Sequence, residues 1–334
     1  MAILVTGGTG FVGLNLVEAL LTRGDSVVIL SNGPLPQMAQ PVFARLPGRL
    51  TLVTGDVRDA GLVSDVVRRH AIERIVHGAA VTADRRREAS SPALILEVNL
   101  LGLVHILETA RAAGVLRVVL IGSAAAYGRR LWQEQHLDEQ ASGDPDTLYA
   151  ISKAASEQIL WRLGDLYSLS VVVGRLATVF GPFEWPGGWR DTLSPILQVT
   201  DIARAGGRAA LPRDDRRDWL YSRDAAASLL QLLDAAAPRA RLYNLGSGLV
   251  WSLADWCDRL ARRYPGFAWS IGQGTGTPIE LHASGPPAAL SHQRFAAEFG
   301  PAAHHDLDHA FEDYLAWLES PVKDGCAAGA PGRM

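Results

Sequence analysis

Cysteine is nearly missing from this chain of 334 residues: Cys257 and Cys326 are the only two, far apart and in no metal-ligand or redox spacing. That scarcity excludes a cysteine-ligated metal or a dithiol pair and implies a reduced, cytoplasmic setting with two structural thiols. An excess of charge of one sign is missing too. The net charge is −3 and the isoelectric point about 6.3, so there is no basic surplus to follow a polynucleotide, and a nucleic-acid partner is not expected. No stretch of roughly 18 uninterrupted apolar residues occurs, so no membrane span is expected, and the apolar start at Ala2 lacks the basic residues of a signal peptide. His304, His305 and His309 include a helical i, i+4 pair with no accompanying cysteine or glutamate motif, so no metal is expected.

Glycine is where the information lies. The run Thr6-Gly7-Gly8-Thr9-Gly10-Phe11-Val12-Gly13 follows the apolar strand pattern Ala2-Ile3-Leu4-Val5 and opens a helical pattern over 11–21. Gly8, Gly10 and Gly13 satisfy the G-x-G-x-x-G spacing, which gives a tight turn, close backbone approach to a pyrophosphate and close packing of helix on strand. Backbone N–H groups and the positive end of the helix dipole would face the phosphates.

Further strand-like runs at 26–30, 50–54, 74–77, 117–121 and 170–176 alternate with amphipathic segments, including long helical patterns over 93–113 and 148–167. That alternation predicts an α/β protein with a doubly wound parallel sheet of the Rossmann type. After Phe180 the texture changes to Gly, Pro and Trp without a strand period, a return to the sheet is expected at 241–245, and 251–264 and 309–318 read as helices. The expected division is a nucleotide-binding core at 1–178 and 219–248 and a smaller, discontinuous substrate lobe at 179–218 and 249–320. The Gly-, Ala- and Pro-rich residues 321–334 are expected to be a disordered tail.

Tyr149 and Lys153 are spaced to lie on one helical face. A lysine cation favours the phenolate of a nearby tyrosine and brings it toward a range useful for proton transfer. Ser123 ends the strand pattern 117–121 at the carboxyl edge, where ligands bind in open α/β sheets, and its hydroxyl could hold a substrate oxygen opposite the phenol.

With these residues the chain resembles the extended short-chain dehydrogenases/reductases of the NAD-dependent epimerase/dehydratase family, from Thr6 to about Gly248. The resemblance implies a catalytic set of Ser123, Tyr149 and Lys153. It implies a cofactor strip of Gly7, Gly10, Phe11, Val12, Gly13, Ser31, Asn32, Asp56, Val57, His77, Ala79, Ala80 and Asn99, joined by Tyr149 and Lys153. His77 stands where asparagine is more usual. A homodimer built through the helices 93–113 and 148–167 is expected by the same resemblance, with a small molecule as substrate.

The departures bear on substrate and coenzyme. Ser31-Asn32 replaces the acidic residue that would grip the ribose diol, and no adjacent arginine awaits a 2′-phosphate, leaving NAD or NADP open with a lean to NAD. Ala124 and Ala125 replace the Asp-Glu pair of the 4,6-dehydratases, which disfavours elimination of water. Thr178 replaces an asparagine that binds diphosphate in nucleotide-sugar epimerases. Arg217 matches an arginine that often reaches substrate phosphate or carboxylate, and an Arg-x-Gly-Asp segment is not recognisable over 277–285. The expected substrate contacts are Thr82, Ser123, Thr178, Trp185, Trp189 and Arg217, with Phe183 divided between site and core. The leading expectation is hydride transfer between nicotinamide and a secondary alcohol of a free sugar, sugar acid or small hydroxy compound. A nucleotide-sugar 4-epimerase is the close alternative. A non-catalytic cofactor sensor is the distant one, disfavoured by the tyrosine–lysine pair.

Overall fold

A computed structural model describes residues 1–185, 193–272, 275–281 and 287–320. Trp189, Arg190, Cys326 and the expected tail at 321–334 lie outside the described residues. Seven strands form one sheet: β1 (Ala2–Thr6), β2 (Ser26–Ser31), β3 (Arg49–Thr54), β4 (Arg74–His77), β5 (Arg117–Ser123), β6 (Val171–Leu176) and β7 (Leu242–Leu245). Their order is β7-β6-β5-β4-β1-β2-β3 and every pairing is parallel. The chain winds outward from β1 to β3, then restarts at β4 on the other side of β1. The β1/β4 boundary is therefore the switch point at which such sheets bind ligands.

Alternate residues of β1 feed opposite layers, as the pleat of a doubly covered strand requires. Ile3 and Val5 join the layer of helices α1 (Phe11–Thr22) and α5 (Ser222–Asp234). Leu4 joins that of α2 (Ala60–Arg69), α3 (Gly102–Ala113) and α4 (Leu148–Tyr167). Local signals set the helix ends. The Asp59 carboxylate accepts from Leu62 N at 2.9 Å, the Thr147 hydroxyl accepts from Ala150 N at 3.2 Å, and α3 stops at Gly114 with φ +69°.

Three expectations need correction. The helix read over 93–113 is Pro92–Leu96, a π-helical stretch Glu97–Leu101 and then α3. The helix read over 251–264 begins only at Leu253: Ser252 and Asp255 form a capping box, and Val250–Ser252 is a strand antiparallel to Arg216–Tyr221. The segment after Phe180 is not strandless, since Arg208–Leu211 and Arg216–Tyr221 both pair, the second with Thr178–Phe180, its apolar period hidden by Arg217 and Asp218 at buried positions. Around them Phe180, Trp219, Trp251, Trp256, Phe311 and Tyr314 build a separate aromatic core.

The combined helix Pro92–Ala113 contains an 18-residue window with a mean hydropathy of 1.6 and is long and apolar enough to cross a membrane, which counting uninterrupted runs did not reveal. Half of it is buried within the protein, and Ile95, Leu103, Ile106 and Leu107 sit in the sheet-covering core.

Candidate active site

The glycine turn leaves β1 and delivers α1 so closely that side chains are excluded. A Cβ on Gly13 would lie 2.3 Å from the Gly7 carbonyl oxygen, and one on Gly7, at φ +68°, would lie 2.8 Å from Ala79 N. A Cβ on Gly10 would meet nothing within 4 Å except the Gly7 oxygen at 3.2 Å, so the turn otherwise borders open space there. The N-cap Gly10 supplies no side-chain acceptor to the first helical amides. These are the features a bound pyrophosphate requires, and the turn fits a dinucleotide.

The expected cofactor residues gather along this edge. The Thr6 hydroxyl bridges β1 to β4, lying 2.8 Å from His77 Nδ1 and accepting from Gly78 N and Ala79 N at 3.2 Å. His77 is buried, its Nε2 has no partner among the described residues, and burial with Lys153 nearby pushes it down to about 3. At neutral pH the imidazole is uncharged. Ser31 is buried, with its Oγ 2.5 Å from Thr9 Oγ1, while Asn32 is exposed. Asp56 accepts from Arg58 N at 2.9 Å and Arg58 Nη2 at 2.8 Å, and these bonds hold its carboxyl below the usual range. The neighbouring Val57 is buried. Ala79, Ala80 and Thr82 are half-buried beside the turn. Asn99, in the π-helical stretch, accepts from Val81 N and donates to Ser152 Oγ, at 2.8 and 2.9 Å, tying the segment after β4 to α4.

Ser123 ends β5 and caps the 3₁₀ turn Ala124–Tyr127, its Oγ accepting from Ala125 N at 3.1 Å. Helix α4 packs against that turn and carries Tyr149 and Lys153. Lys153 Nζ lies 5.8 Å from the Tyr149 ring centroid and donates to the Ile121 carbonyl at 2.9 Å. The serine turn and the tyrosine–lysine helix thus meet at the carboxyl edge, two strands from the glycine turn.

The expected substrate residues are less uniform. Thr178 is half-buried at the head of its strand, paired with Trp219. Arg217 is buried against Asp215, with Nη2 unpartnered among the described residues, and burial pulls its guanidinium down against the pull of Asp215. Phe183 is a core residue, fully buried with its ring 5.1 Å from Trp317 and 5.8 Å from Phe43. Trp185 is partly buried against the same core. His305 and His309 are engaged by Asp224 and Asp306, each at 2.8 Å.

Two buried groups were not singled out from the sequence. Asn15 donates to the Phe11 carbonyl at 3.0 Å and the Pro182 carbonyl at 2.8 Å, and accepts from Ser222 Oγ at 2.9 Å. An asparagine on the apolar face of α1 was the available signal. Glu157 is bidentate with Arg175, and its place one turn after Lys153 was the signal there.

The model of the NAD dependent epimerase/dehydratase family matches residues 3–246. UDP-glucuronate 4-epimerase 1 of Arabidopsis thaliana is 32% identical over 267 residues, an alignment covering 74% of this chain and 61% of the plant protein. The dTDP-glucose 4,6-dehydratase of Streptomyces niveus is 30% identical over 281 residues, 81% of this chain and 80% of that protein. The crystal structure of Thermus thermophilus UDP-glucose 4-epimerase in complex with NAD superposes with a TM-score of 0.77 at 25% identity, over 96% of this chain and 100% of that one. With the glycine turn, the parallel sheet and the tyrosine–lysine helix in place, the chain belongs to the NAD-dependent epimerase/dehydratase family, a family of enzymes.

Proposed function

We propose that this protein moves hydride between NAD and a secondary hydroxyl of a sugar-type substrate, with Tyr149 as acid/base. The observation that carries this reading is the meeting of the Ser123 turn with the Tyr149–Lys153 helix at the same sheet edge as the glycine turn. When bound, NAD supplies the hydride acceptor. Gly7, Gly10 and Gly13 admit its pyrophosphate, and Asp56 and Val57 border its adenine end. Tyr149 takes the proton of the reacting hydroxyl, and the Ser123 hydroxyl orients that oxygen. The Lys153 cation favours the phenolate and is placed to hold the nicotinamide ribose after leaving the Ile121 carbonyl.

Residues 1–178 and 219–248 form the nucleotide-binding part in this reading, and 179–218 with 249–320 the substrate lobe. A second reading, 4-epimerisation of a nucleotide sugar, is favoured by the names of the relatives and by the unpartnered Nη2 of Arg217, a donor suited to a phosphate oxygen. Against it stands Thr178 in place of an amide; Asp215 pairs with Arg217 but also with Arg213, so the cluster as a whole stays cationic. A homodimer through Pro92–Ala113 and α4 completes the proposal, supported by the exposure of Leu96, Leu101 and Ile151 at 37%, 46% and 44%.

The test is Tyr149→Phe, assayed by nicotinamide absorbance with free sugars and sugar acids and by product analysis with nucleotide sugars. Turnover should fall at least about 100-fold with NADH affinity unchanged. Full activity in the variant would remove Tyr149 from the role. Net absorbance change with free substrates supports the first reading, and epimerised product without net change the second.

A further inference from the structure

Helix α4 carries a third functional-looking residue beyond Tyr149 and Lys153. Glu157 follows Lys153 by one turn and is 1% exposed. Its carboxylate takes two hydrogen bonds from Arg175 on β6, from Nε at 2.7 Å and Nη2 at 2.5 Å. The arginine is itself buried, and its guanidinium lies 4.4 Å above the ring of Tyr127, the last residue of the turn that Ser123 caps. The Tyr127 phenol is anchored on Asn244 Oδ1 at 2.9 Å and the Asp138 carbonyl at 2.8 Å. One buried ion pair thus joins the tyrosine–lysine helix, the strand beneath it and the serine turn.

An ion pair sealed from solvent contributes little net field at a distance, whereas either member alone acts through a poorly screening interior. We infer that Arg175 and Glu157 are a charge-balancing and positioning pair: Arg175 cancels the Glu157 carboxylate so that the Lys153 cation alone dominates the field at the Tyr149 phenol. The inference rests on the acid/base reading of Tyr149. Among the described residues, the other charged or titratable groups facing this region include Glu139, its side chain buried and accepting from Asn244 N at 2.8 Å, which acts on Tyr127. His77, from β4, is uncharged at neutral pH. Glu88, from the helix Arg85–Ser90, is occupied by Leu148 N at 2.7 Å. Tyr127 is held above the ordinary tyrosine range by burial.

Eight residues of helix separate Tyr149 from Glu157, or about 12 Å. At that distance an uncompensated charge in a protein interior moves a titration midpoint by about one pH unit. The experiment records tyrosinate absorbance against pH for each variant with and without an added Tyr149→Phe, so that the difference isolates Tyr149. Arg175→Met leaves Glu157 without its cation and should raise the midpoint, by up to about one unit where the carboxyl stays ionised. Glu157→Gln leaves a bare guanidinium and should lower it by a similar amount. The double variant should return to the wild-type midpoint, and Arg175→Lys, which keeps the charge while losing the bidentate geometry, should stay near it. Opposite shifts in the two single variants are not a result that loosened packing produces.

Circular dichroism and NADH binding verify that each variant is folded. Single variants that shift in the same direction, or folded variants that do not shift, overturn the inference. Opposite shifts around a wild-type midpoint near the free-tyrosine value of about 10 would uphold the pair while removing Tyr149 as the base. The two readings therefore fail separately. Should both single variants prove too unstable to titrate, the double variant and Arg175→Lys decide: a displaced midpoint in both sinks the pair.

Discussion

Alanine at Gly13 pits helix propensity against a contact. Propensity alone favours alanine in a helix by up to about 1 kcal/mol. The added Cβ, however, would lie 2.3 Å from the Gly7 carbonyl oxygen and 2.8 Å from Gly8 Cα. Ordinary contacts between such atoms are roughly 3.5 Å, so α1 must retreat by about 1 Å. The neighbours are backbone and cannot rotate away. The retreat is opposed by Leu14, Leu16, Val17, Leu20 and Leu21, each 0% exposed in the core beneath α1. Overpacking of this kind costs about 1–3 kcal/mol, so Gly13→Ala should be destabilised by up to about 2 kcal/mol net of propensity. It should also lose at least about tenfold in NAD affinity, equivalent to about 1.4 kcal/mol, because the amides of the turn move with the helix. Gly114→Ala is the control: its φ is +69° but no atom lies within 4 Å of the added Cβ, so only strain of about 1 kcal/mol is expected, with NAD affinity unchanged. Urea unfolding gives the stabilities and calorimetric titration the affinities. Wild-type NAD affinity in Gly13→Ala, or an equal loss in Gly114→Ala, would refute the argument.

Three further outcomes follow from the same geometry. Asp218 is buried and accepts from Ser247 N and Ser247 Oγ at 2.7 Å and from Leu290 N at 3.2 Å; the hydroxyl can turn to the Leu249 carbonyl at 3.0 Å, so Asp218→Ala strands two backbone donors and should cost about 2–4 kcal/mol in urea unfolding, with Asp218→Asn milder; equal costs would count against it. The hydrogen bond that His305 Nδ1 donates to Asp224, opposed by burial, raises His305 above its ordinary 6.5, so the stability it contributes is fully present below about 6.5 and is lost as pH rises through the raised folded value. His305→Gln should thus be most destabilised on the acid side and converge with wild type in alkali, and parallel stability–pH curves would contradict this. On the homodimer proposed above, Leu101→Glu, at a side chain 46% exposed in the π-helical stretch, should shift sedimentation toward the monomer relative to wild type; identical sedimentation of the two, or a monomeric wild type, counts against that interface.

Much of the first half of the chain was legible because β1, β2, β4 and β5 are buried on both faces and α1, α2 and α3 on one, so pattern and structure coincide along them apart from the broken helix at 93–113. The glycine turn could be read because only its spacing permits the close approach of Gly7 and Gly13. Legibility fails where the partners of a residue are distant in sequence. Arg216–Tyr221 reads as a polar stretch because Arg217 is paired with Asp215 and Asp218 is hydrogen-bonded by Ser247 inside the protein, and no local period records that. Phe183 was divided between site and core since its ring partners, Phe43 and Trp317, lie far away along the chain. The π-helical stretch is equally silent: Asn99 turns inward there through bonds to Val81 and Ser152 that spacing alone does not announce.

Asn15 has a consequence for how portable the parts of this molecule are. With one side chain it fastens the helix that follows the glycine turn to Pro182, 167 residues away, and to Ser222, 207 residues away. In the division proposed above, the lobe that begins at residue 179 is therefore not a cap resting on a finished nucleotide-binding part; its first residues are stitched to the helix after the glycine turn. A chimera that grafts another relative's lobe onto this framework at residue 179 cuts the stitch, whereas a junction placed after Pro182 on one side and before Ser222 on the other preserves it. Exchange of specificity in this architecture is decided by where the seam falls as much as by which pocket is transplanted.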